Sequence, residues 1–145
     1  MTTYSRLQVL SNLTTLLSNI PNVTIYKNNL YPVLNLPCIV VVPTQETITY
    51  PTMGKPRLQE RTLNVEITVI VKTSGDYETE LNSLQSNVES AIYNSNNLSG
   101  LVKLWNLTSI EIDYNDELEK PLAAAKMTFE FIYRTLENTV DTINN

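Results

Sequence analysis

Three groups of residues in this 145-residue sequence carry side chains that can do chemistry. The first is acidic: Glu111, Asp113, Asp116, Glu117 and Glu119. Carboxylates gathered so closely can hold Ca²⁺ or Mg²⁺ through oxygen ligands. Their spacing is not that of an EF-hand loop, and no glycine supplies the sharp turn. Strand alternation sends Glu111 and Asp113 to one face, with Asp116, Glu117 and Glu119 beyond them in a loop. A solvated hairpin tip accounts for the group; a weak cation site or an acidic docking surface is the alternative. The second group is basic: Lys55, Arg57 and Arg61, relieved only by Glu60. With only 10 Lys and Arg in the chain, this concentration marks a contact arm for an acidic partner or DNA. The plainer reading is a soluble loop tip. The third is Cys38, alone in the apolar run Leu36-Pro-Cys-Ile-Val-Val-Val42. Burial there disfavours a thiolate, so it reads as a small hydrophobe.

What is missing narrows the chemistry further. The chain has no histidine, which removes the most common general base, the usual triads and most transition-metal sites. Its 3 scattered glycines cannot build a phosphate-cradling loop. An enzyme is therefore the least supported class, and no catalytic residue, metal ligand or cofactor is expected. A net charge of −5 and a pI near 4.7 leave no basic stripe to neutralise phosphates, so sequence-specific nucleic-acid binding is not expected. One cysteine permits no intrachain disulfide. No window approaches the ~18 apolar residues of a membrane span, and the first residues lack a signal-peptide layout, so no membrane partner is expected.

Elements that could position these groups follow from hydrophobic periodicity. With 42% apolar and 17% charged residues the chain is globular rather than disordered. A first helix is predicted from Tyr4 to Ser18, its stripe being Leu7, Leu10, Leu13, Leu17 and Ile20, with Leu16 alongside. Val23–Tyr26 reads as a short strand. Cys38–Val42 reads as a strand with both faces covered, in the middle of the sheet, and Thr44–Tyr50 extends it beyond the core. Pro51–Arg57 is a loop, and the whole segment Pro51–Glu60 reads as a mobile arm. Arg61–Lys72 alternates: Leu63, Val65, Ile67, Val69 and Val71 on one side, Thr62, Asn64, Glu66, Thr68 and Ile70 on the other. It should pair antiparallel with the preceding strand as a long hairpin.

Asp76 is the predicted N-cap of a second helix whose stripe is Tyr77, Leu81, Leu84, Val88, Ala91 and Ile92. Leu101–Trp105 suggests one helical turn. Two alternating strands follow, around Thr108–Tyr114 and Ala125–Tyr133, joined by the hairpin loop Asn115–Pro121. The fold class is thus α+β: a mostly antiparallel, mixed sheet of about five strands packed with two amphipathic helices, in the order α-β-β-β-α-β-β. The helices either cover one face or split between two. Residues 1–135 form one domain, and residues 136–145 read as a polar tail that frays.

Taken in order, these motifs resemble phage tail terminator proteins. The resemblance rests on the first amphipathic helix, then Leu36-Pro-Cys-Ile-Val-Val-Val42 and Arg61-Thr-Leu-Asn-Val-Glu-Ile67. It continues through Gly75-Asp-Tyr-Glu-Thr-Glu-Leu81 and closes on a Pro-Leu turn, small residues and an alternating strand, Glu119 to Thr135, ending in Tyr-Arg-Thr. It implies a structural virion protein of the tail and neck, without an active site or cofactor. Identical subunits, usually six, would form a ring that caps the tail tube, ends its elongation and meets the head-proximal connector. The implied partners are the chain itself, the tail-tube protein, the connector or neck protein, and double-stranded DNA passing through the lumen without specific binding. The alternatives are another neck or tail-completion protein of similar sheet, or a small ligand- or metal-binding module using the acidic hairpin. Lys55, Arg57, Arg61, Asp116, Glu117 and Glu119 are the candidate partner contacts.

Overall fold

The computed structural model describes residues 4–27, 37–72, 77–115 and 122–145. The elements run α1 (Ser5–Leu17), β1 (Thr24–Lys27), β2 (Cys38–Thr49), β3 (Leu58–Lys72), α2 (Tyr77–Tyr93), α3 (Asn96–Ser99), β4 (Leu104–Asn115), β5 (Leu122–Leu136) and β6 (Thr139–Ile143). One mixed sheet has the order β1-β2-β3-β5-β4, with β6 added to β5. β1 runs parallel to β2, and the other pairs are antiparallel. This is the predicted α+β class, with β6 and α3 as additions.

Period-two alternation decides which face is covered. Leu63, Val65, Ile67, Val69 and Val71 of β3 and Ala125, Met127, Phe129 and Phe131 of β5 are buried in one cluster. Leu13 and Leu17 of α1 and Leu81, Leu84, Val88 and Ile92 of α2 join the same cluster, so both helices lie on one face. Each such aliphatic side chain contributes roughly 1.5–3 kcal/mol by burial. The opposite face carries half-exposed Thr62, Asn64, Glu66 and Thr68. On β2, Cys38 and Val40 lie out of phase with Ile39 and Val41, yet all four are buried, as the continuous apolar run requires.

Four expectations need correction. The α1 stripe is rotated: Val9, Leu13 and Leu17 are buried, whereas Leu7 is 53% exposed. At about 100° per residue, Leu7 stands roughly 120° from Leu13 while Val9 stands about 40° from it. The arm starting at Pro51 is shorter than expected, because Leu58–Glu60 already belong to β3 and pair with Thr135, Leu136 and Arg134 of β5. Leu101–Trp105 does not form a helical turn; α3 precedes it, and Leu104 opens β4. Residues 136–145 are not an irregular tail throughout: Thr139–Ile143 form β6, which pairs with β5. Asp76 lies outside the described residues.

α3 is a left-handed turn. Asn96, Asn97, Leu98 and Ser99 have φ between 52° and 61°, and Gly100 follows at φ 82°. Such a conformation costs roughly 1–2 kcal/mol per L-residue, least for asparagine. Leu98 is fully buried in the core cluster, and the Ser95 hydroxyl accepts a hydrogen bond from its N–H (3.0 Å). The Asn145 amide closes the turn from outside, donating to the carbonyls of Leu101 (3.0 Å) and Gly100 (3.3 Å).

Candidate interaction surfaces

The basic residues around the β2–β3 hairpin separate in space. Arg61 points inward and is 3% exposed. It continues the inward phase of β3, where Leu63 and Val65 also lie. That overturns its assignment as an outward partner contact: strand parity, not proximity to a charged loop, sets where its side chain goes. Its Nη1 donates to Glu46 Oε1 (2.6 Å) and to the Tyr4 hydroxyl (2.5 Å). Its Nε reaches Thr135 Oγ1 (3.2 Å) and its Nη2 reaches Gln59 Oε1 (2.8 Å). The Tyr133 hydroxyl donates to the other oxygen of Glu46 (2.8 Å).

This network ties the start of α1 to β2, β3 and β5. Burial works against the Arg61 charge, but the hydrogen bonds to Glu46 and Tyr4 outweigh it and hold the guanidinium above its ordinary pKa. Burial, aided by the neighbouring Glu46 carboxylate, pushes the Tyr133 phenol well above the usual tyrosine range. Arg61 is thus held charged against Glu46 and Tyr133 is held neutral, fixed protonation states that suit a structural pin.

Arg57 is half-exposed. Its backbone N–H and Nε donate to the two carboxylate oxygens of Glu137 (2.9 and 3.1 Å), and its guanidinium lies 4.0 Å from the Tyr50 ring centre. The backbone hydrogen bond from Arg57 is the chief reason the Glu137 carboxyl titrates below its ordinary range. Lys55 is exposed in the loop between the strands. Met53, two residues before it, is 96% exposed. Ile48 and Tyr50, at 39% and 45%, add to an apolar hairpin end that leaves the core after Val42.

The acidic group is only partly in view: Asp116, Glu117 and Glu119 lie outside the described residues. Glu111 and Asp113 line a shallow groove with Thr68, Ala124 and Lys126 on the face away from the helices, bordered by Ile112 at the sheet edge. The Lys126 ammonium stands 3.3 Å from Glu111 and 4.0 Å from Glu66. Its bond to Glu111 and the charge of Glu66 raise its pKa. A cation of the chain's own thus already serves these carboxylates.

Two further apolar features escaped the sequence. Ile110 and Ile112 stand opposite buried Met127 and Ala125, on the helix-bearing face, but are 41% and 52% exposed because β4 is an edge strand. Leu7 projects from the first half of α1, between Tyr4, which meets Arg61 of β3, and Gln8, which donates to Asp141 O of β6 (2.7 Å). Neither was legible, because alternation and helical spacing give a residue's face and not whether that face is covered. No helix among the described residues is long and apolar enough to cross a membrane. No protein-family model matches the chain, and no curated protein matches it either.

Proposed function

We propose that this chain is a structural virion protein, a tail terminator or a neck protein of similar sheet. In this reading copies of it form a closed ring, usually of six, that caps a phage tail tube and meets the head connector. The ordered motifs that resemble tail terminators motivate the family. The observation that carries the assembly reading is a pair of dissimilar exposed apolar patches, one on the β4 edge and one on α1. A closed ring needs a head-to-tail interface, in which two different patches of each subunit meet. Exposed Ile110 and Ile112 on the β4 edge provide one patch, and Leu7 beside Tyr4 on α1 provides the other. Covering the β4 edge would also shield its unpaired backbone groups. The hairpin ending in Tyr50, Met53 and Lys55 extends away from this belt and suits contact with a neighbouring ring.

Such a protein ends a polymer that has no intrinsic stop. Each added tube ring re-creates the surface that bound it, so a terminator must copy the receiving surface on one side only. Light scattering and electron microscopy of concentrated protein, alone and with tail tubes, test the assignment. The expected result is a closed ring that seats on one end of the tube. A monomer at all concentrations that never associates with tube ends would overturn it, as would normal-length tails joined to filled heads in a deletion mutant.

A further inference from the structure

We infer that the open edge of β4, from Ser109 to Asp113, takes an added strand from a partner protein, an extended segment that alternates basic and apolar residues. The inference concerns the single subunit and goes beyond the ring reading, which it does not need. The main path of the sheet ends in β1 on one side and β4 on the other. An outer strand carries a row of unpaired N–H and C=O groups, and proteins blunt such rows with short strands, lysines, prolines or bulges. β1 is blunted: it has 4 residues and ends in Lys27. β4 has 12 residues, with no lysine, arginine or proline among them. The irregularity in its pairing lies between Leu107 and Ser109, so the stretch from Ser109 keeps an unbroken register against β5. Ser109, Ile110, Glu111, Ile112 and Asp113 are all exposed.

The chemistry of the occupant follows from the register. Glu111 and Asp113 lie on the face away from the helices, and Ile110 and Ile112 on the helix-bearing face. On the inner side of β4 this pattern is already answered by β5. Lys126 stands directly opposite Glu111, its ammonium 3.3 Å from the carboxylate, and Met127 and Ala125 stand opposite Ile110 and Ile112. β5 thus shows what β4 accepts as a neighbour: a lysine between two apolar residues. The outer side offers the same pattern again, because the Glu111 side chain stays 77% exposed and Ile112 stays 52% exposed. Lys126 is also shared with Glu66 at 4.0 Å, and Asp113 borders the same groove. These four groups keep a surplus of negative charge that a cation from outside can answer.

A strand laid beside β4 brings its side chains to about 4.5–5.5 Å from those directly opposite, with the same two-residue period. Lysine or arginine at alternate positions then meets Glu111 and Asp113, and the apolar residues between them meet Ile110 and Ile112. Main-chain hydrogen bonds supply the affinity, and the alternating side chains supply the selectivity. The two carboxylates repel an acidic strand, and a wholly apolar one leaves them uncompensated. Where a neighbouring subunit covers this edge it competes with such a segment, so the free subunit is the form that binds.

The test uses the full chain at low concentration and a short capped peptide of alternating valine and lysine, read by a binding isotherm and by hydrogen exchange. The peptide should bind and slow exchange of the amides from Ser109 to Asp113. Two control peptides should bind weakly and protect none of these amides: one of the same composition with its valines and lysines in two blocks, and a fully N-methylated copy of the alternating one. Glu111→Gln/Asp113→Asn, at two exposed positions, should weaken binding about tenfold, with thermal melts showing that the variant stays folded. Binding of either control as tight as that of the alternating peptide would mean attraction without strand addition and would overturn the inference. Absence of binding, or protection confined to another strand, would overturn it too. Unchanged affinity in the Glu111→Gln/Asp113→Asn variant would overturn the basic character of the partner. None of these results bears on the ring, which is judged by oligomeric state and tube binding.

Discussion

The Arg61 guanidinium and the Glu46 carboxylate meet at 2.6 Å, with side chains only 3% and 6% exposed. Neither charge can be hydrated where it stands. Removing one partner leaves the other buried without compensation, at a cost of about 3–5 kcal/mol. Glu46→Ala or Arg61→Ala should therefore lower the urea midpoint sharply. The double change Glu46→Leu/Arg61→Met should recover most of the loss, because a shape-filling apolar pair needs no counter-charge. Equal, additive losses in a double-mutant cycle would show that the two side chains act independently.

That pair also marks how far the sequence could be read. The alternation of β3 was plain from Leu63 to Val71, and it continues without a break through Arg61 and Gln59. A cation in phase with the core face must be buried and must find a carboxylate; the signal was present in the parity. What the sequence could not supply was the partner, because Glu46 lies across a bulge between Pro43 and Gln45 that shifts the parity of β2. The α2 stripe was legible for the opposite reason: Leu81, Leu84, Val88 and Ile92 are local, and no bulge intervenes. β6 was hidden because Thr139, Asp141 and Thr142 are polar and Ile143, which packs against the core cluster, is too isolated to show a pattern.

The rotated face of α1 gives a sharp contrast. Leu13 is wholly buried, so Leu13→Ala should cost about 2–5 kcal/mol through lost burial and a residual cavity. Leu7→Ala, at a 53% exposed position, should change stability by no more than about 0.5 kcal/mol. Chemical denaturation of the two variants checks the register. Sedimentation should show weakened self-association for Leu7→Ala alone.

Cys38 links burial to pH. Desolvation pushes its thiol up to about 11 from an ordinary 9.0. Below the unfolded value both states keep the proton, and the buried neutral thiol is stable. Between about pH 9 and 11 the unfolded chain loses the proton while the folded chain keeps it, so stability falls as pH rises through that window. Cys38→Ala should flatten this alkaline decline in thermal melts. At neutral pH, alkylation of the native thiol should be slow and should accelerate with denaturant in step with unfolding.

The left-handed turn isolates backbone strain from packing. A methyl group on Gly100 would meet nothing within 4 Å, so Gly100→Ala creates no clash. Its φ of 82° nevertheless lies where L-residues are disfavoured, and the substitution should cost roughly 1–2 kcal/mol. The reverse change nearby should stabilise: Asn97→Gly relieves a φ of 55°, and the side-chain bond it loses among the described residues is a long one, 3.4 Å, to Lys103 O. Ser99→Gly, at φ 61° and exposed, should gain without that loss. The turn persists because Leu98 is buried beneath it and Asn145 caps its carbonyls. Asn145→Ala should then destabilise the protein by about 0.5–1.5 kcal/mol and raise hydrogen exchange at the Arg134 amide, which donates to the Asn145 side chain at 2.8 Å. If Asn145→Ala leaves both stability and that exchange unchanged, the turn holds its shape through Leu98 and Asn145 does not clamp it.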